Sequence, residues 1–387
     1  MTYDFDKIID RRGTNCVKWD ELSQPDIIPM WVADMDFETA PCVIEALRQR
    51  MEHGCFGYTL VPESFYQATI QWFQQRHGWT IDRSSFIYTS GVVPAISAII
   101  KAMTHKGDKV LVQTPVYNCF FSSIRNNGCI LTENPLKMVN NRYEIDWEDF
   151  EKKCTDPAVK VFLLCNPHNP AGRVWTREEL TRMGNICLQH GVFVISDEIH
   201  CEFTMPGHTY TPFASIREDF AQHSAVCISP SKAFNIAGLQ IANIIVKDDG
   251  IRQKVDKAIN INEVCDVNPF GVIALQAAYS EEGAAWLTAL NSYIHENYRL
   301  AKSLLEEGLP HCPVTTLEGT YLLWVNIHKT GKTSGQVADH LMQHAKVYVN
   351  PGTMYGEIAG EGYIRINLAT QRSRMEEGIR RIITALV

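Results

Sequence analysis

The chain reads as an α/β protein with a mostly parallel central sheet in a large domain and a smaller α+β domain beside it. Three observations predict this. Short runs that are apolar throughout recur at 109–114, 159–166, 192–198, 225–229 and 242–247. Strands without polar alternation are covered on both faces. Helical stretches separate several of them, and parallel neighbours need such crossovers. After a long helical stretch the pattern changes: TYLLWVNI (320–327), KVYVNPG (346–352) and YIRINLA (363–369) suggest a small α+β unit. The expected partition is 41–279 for the large domain and 1–40 with 280–387 for the small one.

The elements come in this order. The opening MTYDFDKIIDRRG has no apolar core, so no secretory signal is expected. YTSGVVPAISAIIKAM (88–103) places Ser90 and Gly91 just before a helix with Pro94 in its first turn. Free backbone N–H groups at such a helix start suit a phosphate. KVLVQT is followed by Pro115 and Tyr117, and VKVFLLCN by NPHNPAG with Asn169. TREELTRMGNICLQHG has a threonine N-cap, acids in its first turn and a glycine stop, which mark a helix. VFVIS is followed by Asp197, Glu198 and His200, and AVCIS by Ser231 and Lys232 within SPSKAFNIAG. In YIRINLA, Tyr363, Arg365 and Asn367 share one face, and Ile364, Ile366 and Leu368 the other. Arg365 is expected to face a cleft or solvent.

Composition excludes several classes. The 387 residues are 45% hydrophobic and 21% charged, ordinary for a soluble globular protein. A net charge of -8 argues against a nucleic-acid partner. No run has the length of a membrane-spanning helix. The 12 cysteines are scattered without a CxxC pair, and Cys165 and Cys227 lie inside apolar runs, as in a reduced, cytoplasmic protein. No GxGxxG follows the first strands, no P-loop occurs, and DEIHCE matches no zinc spacing, so no metal is expected.

In parallel α/β sheets, ligands bind outside the carboxyl ends of the strands. The residues there include a lysine, a carboxylate, an amide and an aromatic ring, beside a helix start with hydroxyls. That is the set needed to hold pyridoxal phosphate as an electron sink, with an arginine for a substrate carboxylate. Each residue alone has a plainer reading. Lys232 also fits a surface loop, Asp197 a helix cap, Asn169 a turn, Tyr117 simple packing, and Arg365 an exposed strand charge. Only the whole set, in this order, points to the cofactor.

SGVVPAIS, TPVY, NPHNPAGRVW, SDEIH and SPSKAFNIAG resemble fold-type I pyridoxal-phosphate enzymes of the class I/II aminotransferase superfamily, along nearly the whole chain. WVADMDF (31–37), GVVPAI, SDEIH and KAFNIAG are similar to the MalY/PatB group of C–S lyases, which includes cystathionine β-lyase and cystalysin. The resemblance implies roles. Lys232 is the imine lysine and the proton carrier at Cα, and Asp197 the partner of the pyridine nitrogen. Asn169 donates to the ring oxygen and Tyr117 stacks on the ring. Gly91, Val92 and Ser229 contact the phosphate, and Ser231 and His200 join the cofactor-binding set. Tyr58 in FGYT reaches the phosphate of a neighbouring subunit, which implies a homodimer. Arg365 clamps the substrate carboxylate, where a planar guanidinium pairs with two oxygens. Trp31, Met35 and Tyr355 are candidates for the side-chain pocket.

Two positions depart from the ordinary aminotransferase pattern. His200 stands where that pattern has tyrosine, and Gln240 where it has arginine. Both fit the C–S lyase group. The implied reaction is β-elimination from cystathionine, cysteine, cystine or related sulfur amino acids, giving a thiol, pyruvate and ammonia. An aminotransferase shares every step up to the carbanion. A regulatory protein that keeps the fold for a protein partner is the third reading.

Overall fold

The computed structural model describes residues 3–22, 24–261 and 266–387. A seven-stranded sheet runs in the spatial order Phe86–Thr89, Ala242–Ile245, Ser224–Ile228, Phe193–Asp197, Val159–Cys165, Lys109–Val112, Ile130–Glu133. Ala242–Ile245 is antiparallel to both neighbours. The other neighbouring pairs are parallel. All five expected strands of the large sheet form. Two more join them. Phe86–Thr89 is a four-residue strand running into the Ser90–Gly91 turn, too short for a periodic signal. Ile130–Glu133 is an edge strand with one exposed and three half-buried residues, so it lacks the apolar run of a central strand.

The strand pleat divides the apolar side chains between two cores. Val161, Leu163 and Cys165 face the helix Val92–Met103, with its Ile96, Ile99 and Ile100. Phe162 and Leu164 face the opposite way, toward Leu180, Met183 and Cys187 of the helix Arg177–His190. That helix begins and ends as expected. The Thr176 side chain accepts from the Glu179 amide while the Glu179 carboxylate accepts from the Thr176 amide, and Gly191 closes it at φ 67°.

The C-terminal part carries a second sheet, Leu322–Asn326, Tyr363–Asn367 and Asn350–Pro351, antiparallel throughout. Ile28–Pro29 pairs in parallel with Val347–Tyr348, so the N-terminal segment is tied to the C-terminal part. The next stretch, 31–37, is fixed from beneath by buried charge. Asp36 is fully buried and accepts from Lys18 Nζ at 2.8 Å, Trp19 Nε1 at 2.9 Å and Arg11 Nη1 at 3.0 Å. Burial acts to raise its pKa, yet Lys18, Trp19 and Arg11 together hold it below the usual carboxylate range.

The turn 166–173 is pinned in the same way. Arg173, fully buried, donates from Nε to Glu318 at 2.8 Å and from Nη2 to both carboxylate oxygens of Glu179. Gly172 beside it has φ +69°, and a Cβ there would lie 2.8 Å from Leu317 Cδ1. Within the segment DEIHCE, Cys201 and Glu202 come together with His77. The Glu202 carboxylate there already accepts from Trp72 Nε1, Arg76 Nε and His77 Nε2 at 2.7–2.9 Å. Among the described residues no helix is long and apolar enough to cross a membrane.

Candidate active site

A cavity of about 360 Å³ opens at the carboxyl edge of the large sheet. Its walls come from the turns after the strands ending at Thr89, Val112, Cys165, Asp197 and Ile228. The small sheet and the segment after Pro29 close the other side. Lys232, Asp197, Asn169, Tyr117, His200, Arg365, Ser231, Gly91 and Val92 all line it. Trp31 and Tyr355 do as well.

Lys232 sits in the turn after Ile228, and its Nζ donates to the Ala33 carbonyl at 2.5 Å. Burial and the Arg365 charge push its pKa down, while Asp34 and Asp197 oppose them. Asp197 ends its strand with the carboxylate buried; Oδ1 accepts from the Ile199 amide at 3.1 Å. Its pKa is pushed up to about 7 because burial outweighs that hydrogen bond and the Lys232 charge. Among the described residues no cation pairs directly with this carboxylate.

Arg365 is 3% exposed. Nη1 donates to Asn169 Oδ1 at 3.1 Å and Nη2 to the Trp31 carbonyl at 2.7 Å. The guanidinium lies 4.6 Å from the Tyr355 ring centre, a cation–π contact that sets its plane. Its Nε is buried without a hydrogen-bond partner among the described residues. Because Arg365 takes the Asn169 carbonyl oxygen, the Asn169 NH₂ is left as the free donor. His200 is 3% exposed and its Nδ1 has no partner among the described residues. Burial, with Lys232 and Arg365 nearby, pushes its pKa down to about 3, so the ring is neutral. Burial likewise raises the Tyr117 phenol, helped by Cys119 and Asp197, and keeps it protonated.

The helix Val92–Met103 starts here with no side chain capping it, so its first amides face the cavity unpaired by a cap. Unpartnered buried atoms on His200 and Arg365, uncapped amides, and a buried carboxylate near neutrality form a donor and acceptor set that fits an anionic ligand with a basic ring nitrogen.

Three expected residues sit elsewhere. Ser229 is outside the lining, and its hydroxyl lies 2.6 Å from the Ile241 carbonyl and 2.7 Å from Ser231 Oγ. Met35 is fully buried in the apolar core, not on the cavity wall. Tyr58 is 97% exposed on a segment outside any helix or strand. Asn350, Cys119 and Met354 also line the cavity, and sequence reasoning misses all three. Asn350 Nδ2 donates to the Trp31 carbonyl at 3.1 Å and to Tyr355 Oη at 2.8 Å. Its position carries one signal: a polar residue in VNPG, at the end of an apolar run.

This sheet, with its cavity at the carboxyl edge, is the architecture of fold-type I pyridoxal-phosphate enzymes. The chain belongs to the family described as aminotransferase class I and II, whose profile matches residues 25–382. It is 42% identical to cystathionine beta-lyase PatB of Bacillus subtilis (strain 168), over 99% of both chains. A PLP-bound protein of Clostridium difficile 630, provisionally named an aminotransferase, superposes with a TM-score of 0.97 at 41% identity, covering 100% of both chains. The PLP-bound C–S lyase of Staphylococcus hominis superposes with a TM-score of 0.93 at 36% identity, covering 100% of this chain and 99% of that one.

Proposed function

We propose that the chain is a pyridoxal-phosphate-dependent C–S β-lyase, which cleaves cystathionine- and cysteine-type thioether amino acids to a thiol, pyruvate and ammonia. The observation that carries the reading is the convergence of Lys232, Asp197 and Arg365 on one cavity, in a chain that resembles C–S lyases over its full length. Pyridoxal phosphate, when bound, supplies an electron sink beside the substrate Cα.

The chain's own residues do the rest. Asp197 keeps a proton on the ring nitrogen by charge, and Asn169 donates its free NH₂ to the ring oxygen. Tyr117 covers the ring face. The amides at Gly91 and Val92 hold the phosphate with Ser231, and Ser229 braces Ser231 from behind. Arg365 grips the α-carboxylate and orients Cα toward Lys232. Lys232, with its pKa lowered, takes the Cα proton. Tyr117 stays protonated and is the group placed to donate to the departing sulfur.

Tyr58 is assigned to the phosphate of a neighbouring subunit in a cytoplasmic homodimer. Its exposure, with Phe56 and Leu60 also exposed on the same segment, supports a covered interface there.

The aminotransferase reading is favoured by the family's name and by that of the Clostridium difficile 630 protein, and shares the same site. Cystathionine without any keto acid tests both. A lyase releases pyruvate continuously, in step with homocysteine and ammonia. An aminotransferase stops at one equivalent per site and resumes when a keto acid is added.

Arg365→Ala should raise the KM for amino-acid substrates steeply, by about tenfold or more, with the cofactor absorbance intact. A bidentate charge-assisted pair is roughly twice as strong as a neutral one, and about 1.4 kcal/mol is tenfold. An unchanged KM would assign the carboxylate to another group.

A further inference from the structure

The lyase reading leaves one part of the cavity unassigned, and its chemistry selects the substrate side chain. Once Asp197 and Lys232 serve the cofactor and Arg365 the α-carboxylate, every charged residue of the lining among the described residues is used. His200 is held neutral. The rest of the lining includes Trp31, Val93, Cys119, Asn350, Met354 and Tyr355, with Ser90 and Asn118 as its other polar side chains. None of these is an aspartate, glutamate, lysine or arginine. The aromatic rings are fixed: Trp31 packs at 5.0 Å on Tyr348, and Tyr355 at 5.7 Å on Trp324. Met354, 41% exposed, stands at the rim.

We infer that this wall makes the enzyme selective for cysteine derivatives whose sulfur substituent is uncharged and apolar close to the sulfur, with Met354 as a specificity-determining residue. The inference rests on the lyase reading. An anionic group near the sulfur would be taken from water with no cation to meet it, because Arg365 already faces the α-carboxylate. The wall instead offers aromatic faces, a thioether and a thiol, which gain from contact with alkyl or aryl groups. Cystathionine is compatible, because its charged end lies several bonds beyond the sulfur and can reach the open rim.

S-propylcysteine and S-carboxymethylcysteine are the matched probes. Their substituents are similar in size, and their departing thiols are similar in basicity, so the charge is the main variable. Pyruvate release from each is measured on the cofactor-loaded enzyme, with cystathionine as the reference. The expected kcat/KM is at least about tenfold higher for S-propylcysteine, the lower range for burying an unpaired polar group. Met354→Arg should move the ratio toward S-carboxymethylcysteine by about tenfold. A native ratio near one, or reversed, would overturn the inference. So would pyruvate from cystathionine but from neither probe. Pyruvate from none of the three would overturn the lyase reading and this inference with it. If the Met354→Arg chain fails to fold, the native ratio alone decides.

Discussion

Replacing Lys232 by alanine is expected to lower turnover by about two to four powers of ten, the range that a positioned general acid–base group supplies. The effect is large because one amine has two duties. In the proposed role it anchors the cofactor between turnovers and carries the Cα proton during them. The surroundings prepare it for the second. Burial and Arg365 depress its pKa, so the neutral amine is less costly to form than on a surface lysine. The Ala33 carbonyl, 2.5 Å away, fixes its position. Lys232→Arg should fail as well, because a guanidinium stays protonated. Borohydride reduction of the native enzyme should bleach the visible band and fix the cofactor on Lys232, read by peptide mapping. An adduct on any other lysine would sink the assignment. Lys232→Ala should still bind the cofactor, through the phosphate and ring contacts.

Much of this site is readable in the chain because strand ends are legible. A buried parallel strand shows as a continuous apolar run, and the residues just past its end must lie at the carboxyl edge. Asp197, Asn169, Tyr117 and Lys232 are all legible in that way. Alternation singles out Arg365, and the structure places it on the cavity wall. The strand Tyr363–Asn367 is buried on both faces. The polar face is a packed wall: Tyr363 stacks on Trp324 at 5.2 Å, and Asn367 Nδ2 holds the Val32 and Asp34 carbonyls at 2.6–2.7 Å.

The unreadable part depends on tertiary contact. Asn350 and Cys119 look ordinary in sequence and matter only through the segments that fold against them. The carbonyls of Trp31 and Ala33 are ligand-like anchors for Arg365 and Lys232, yet a backbone oxygen leaves no trace in residue type. The assigned role of Tyr58 depends on a second chain. No pattern within one chain reveals such a contact, and only resemblance points to it.

Asp197→Asn should cripple the reaction and spare the fold. An amide of nearly the same shape keeps the volume and can still accept the Ile199 N–H that Asp197 Oδ1 now takes. It cannot hold a proton on the ring nitrogen by charge, so the electron sink weakens. Removing one partner of a buried charge pair costs about 3–5 kcal/mol. At about 1.4 kcal/mol per factor of ten, turnover should fall by roughly 10²- to 4 × 10³-fold. The stability of the cofactor-free protein should move the other way. Asp197 has a pKa of about 7 in the folded chain, against an ordinary value of 3.8. Between those values the native state keeps a proton that the unfolded chain has lost, so stability falls as pH rises through that window and stays lower above it. Asparagine does not ionise and escapes this loss. At pH 8 without cofactor, Asp197→Asn should therefore melt at or above the parent's temperature, while the loaded variant is nearly inactive. A lower melting point with activity lost in proportion would make Asp197 a structural residue. Near-parental turnover in a variant shown to carry cofactor would remove its role at the ring nitrogen.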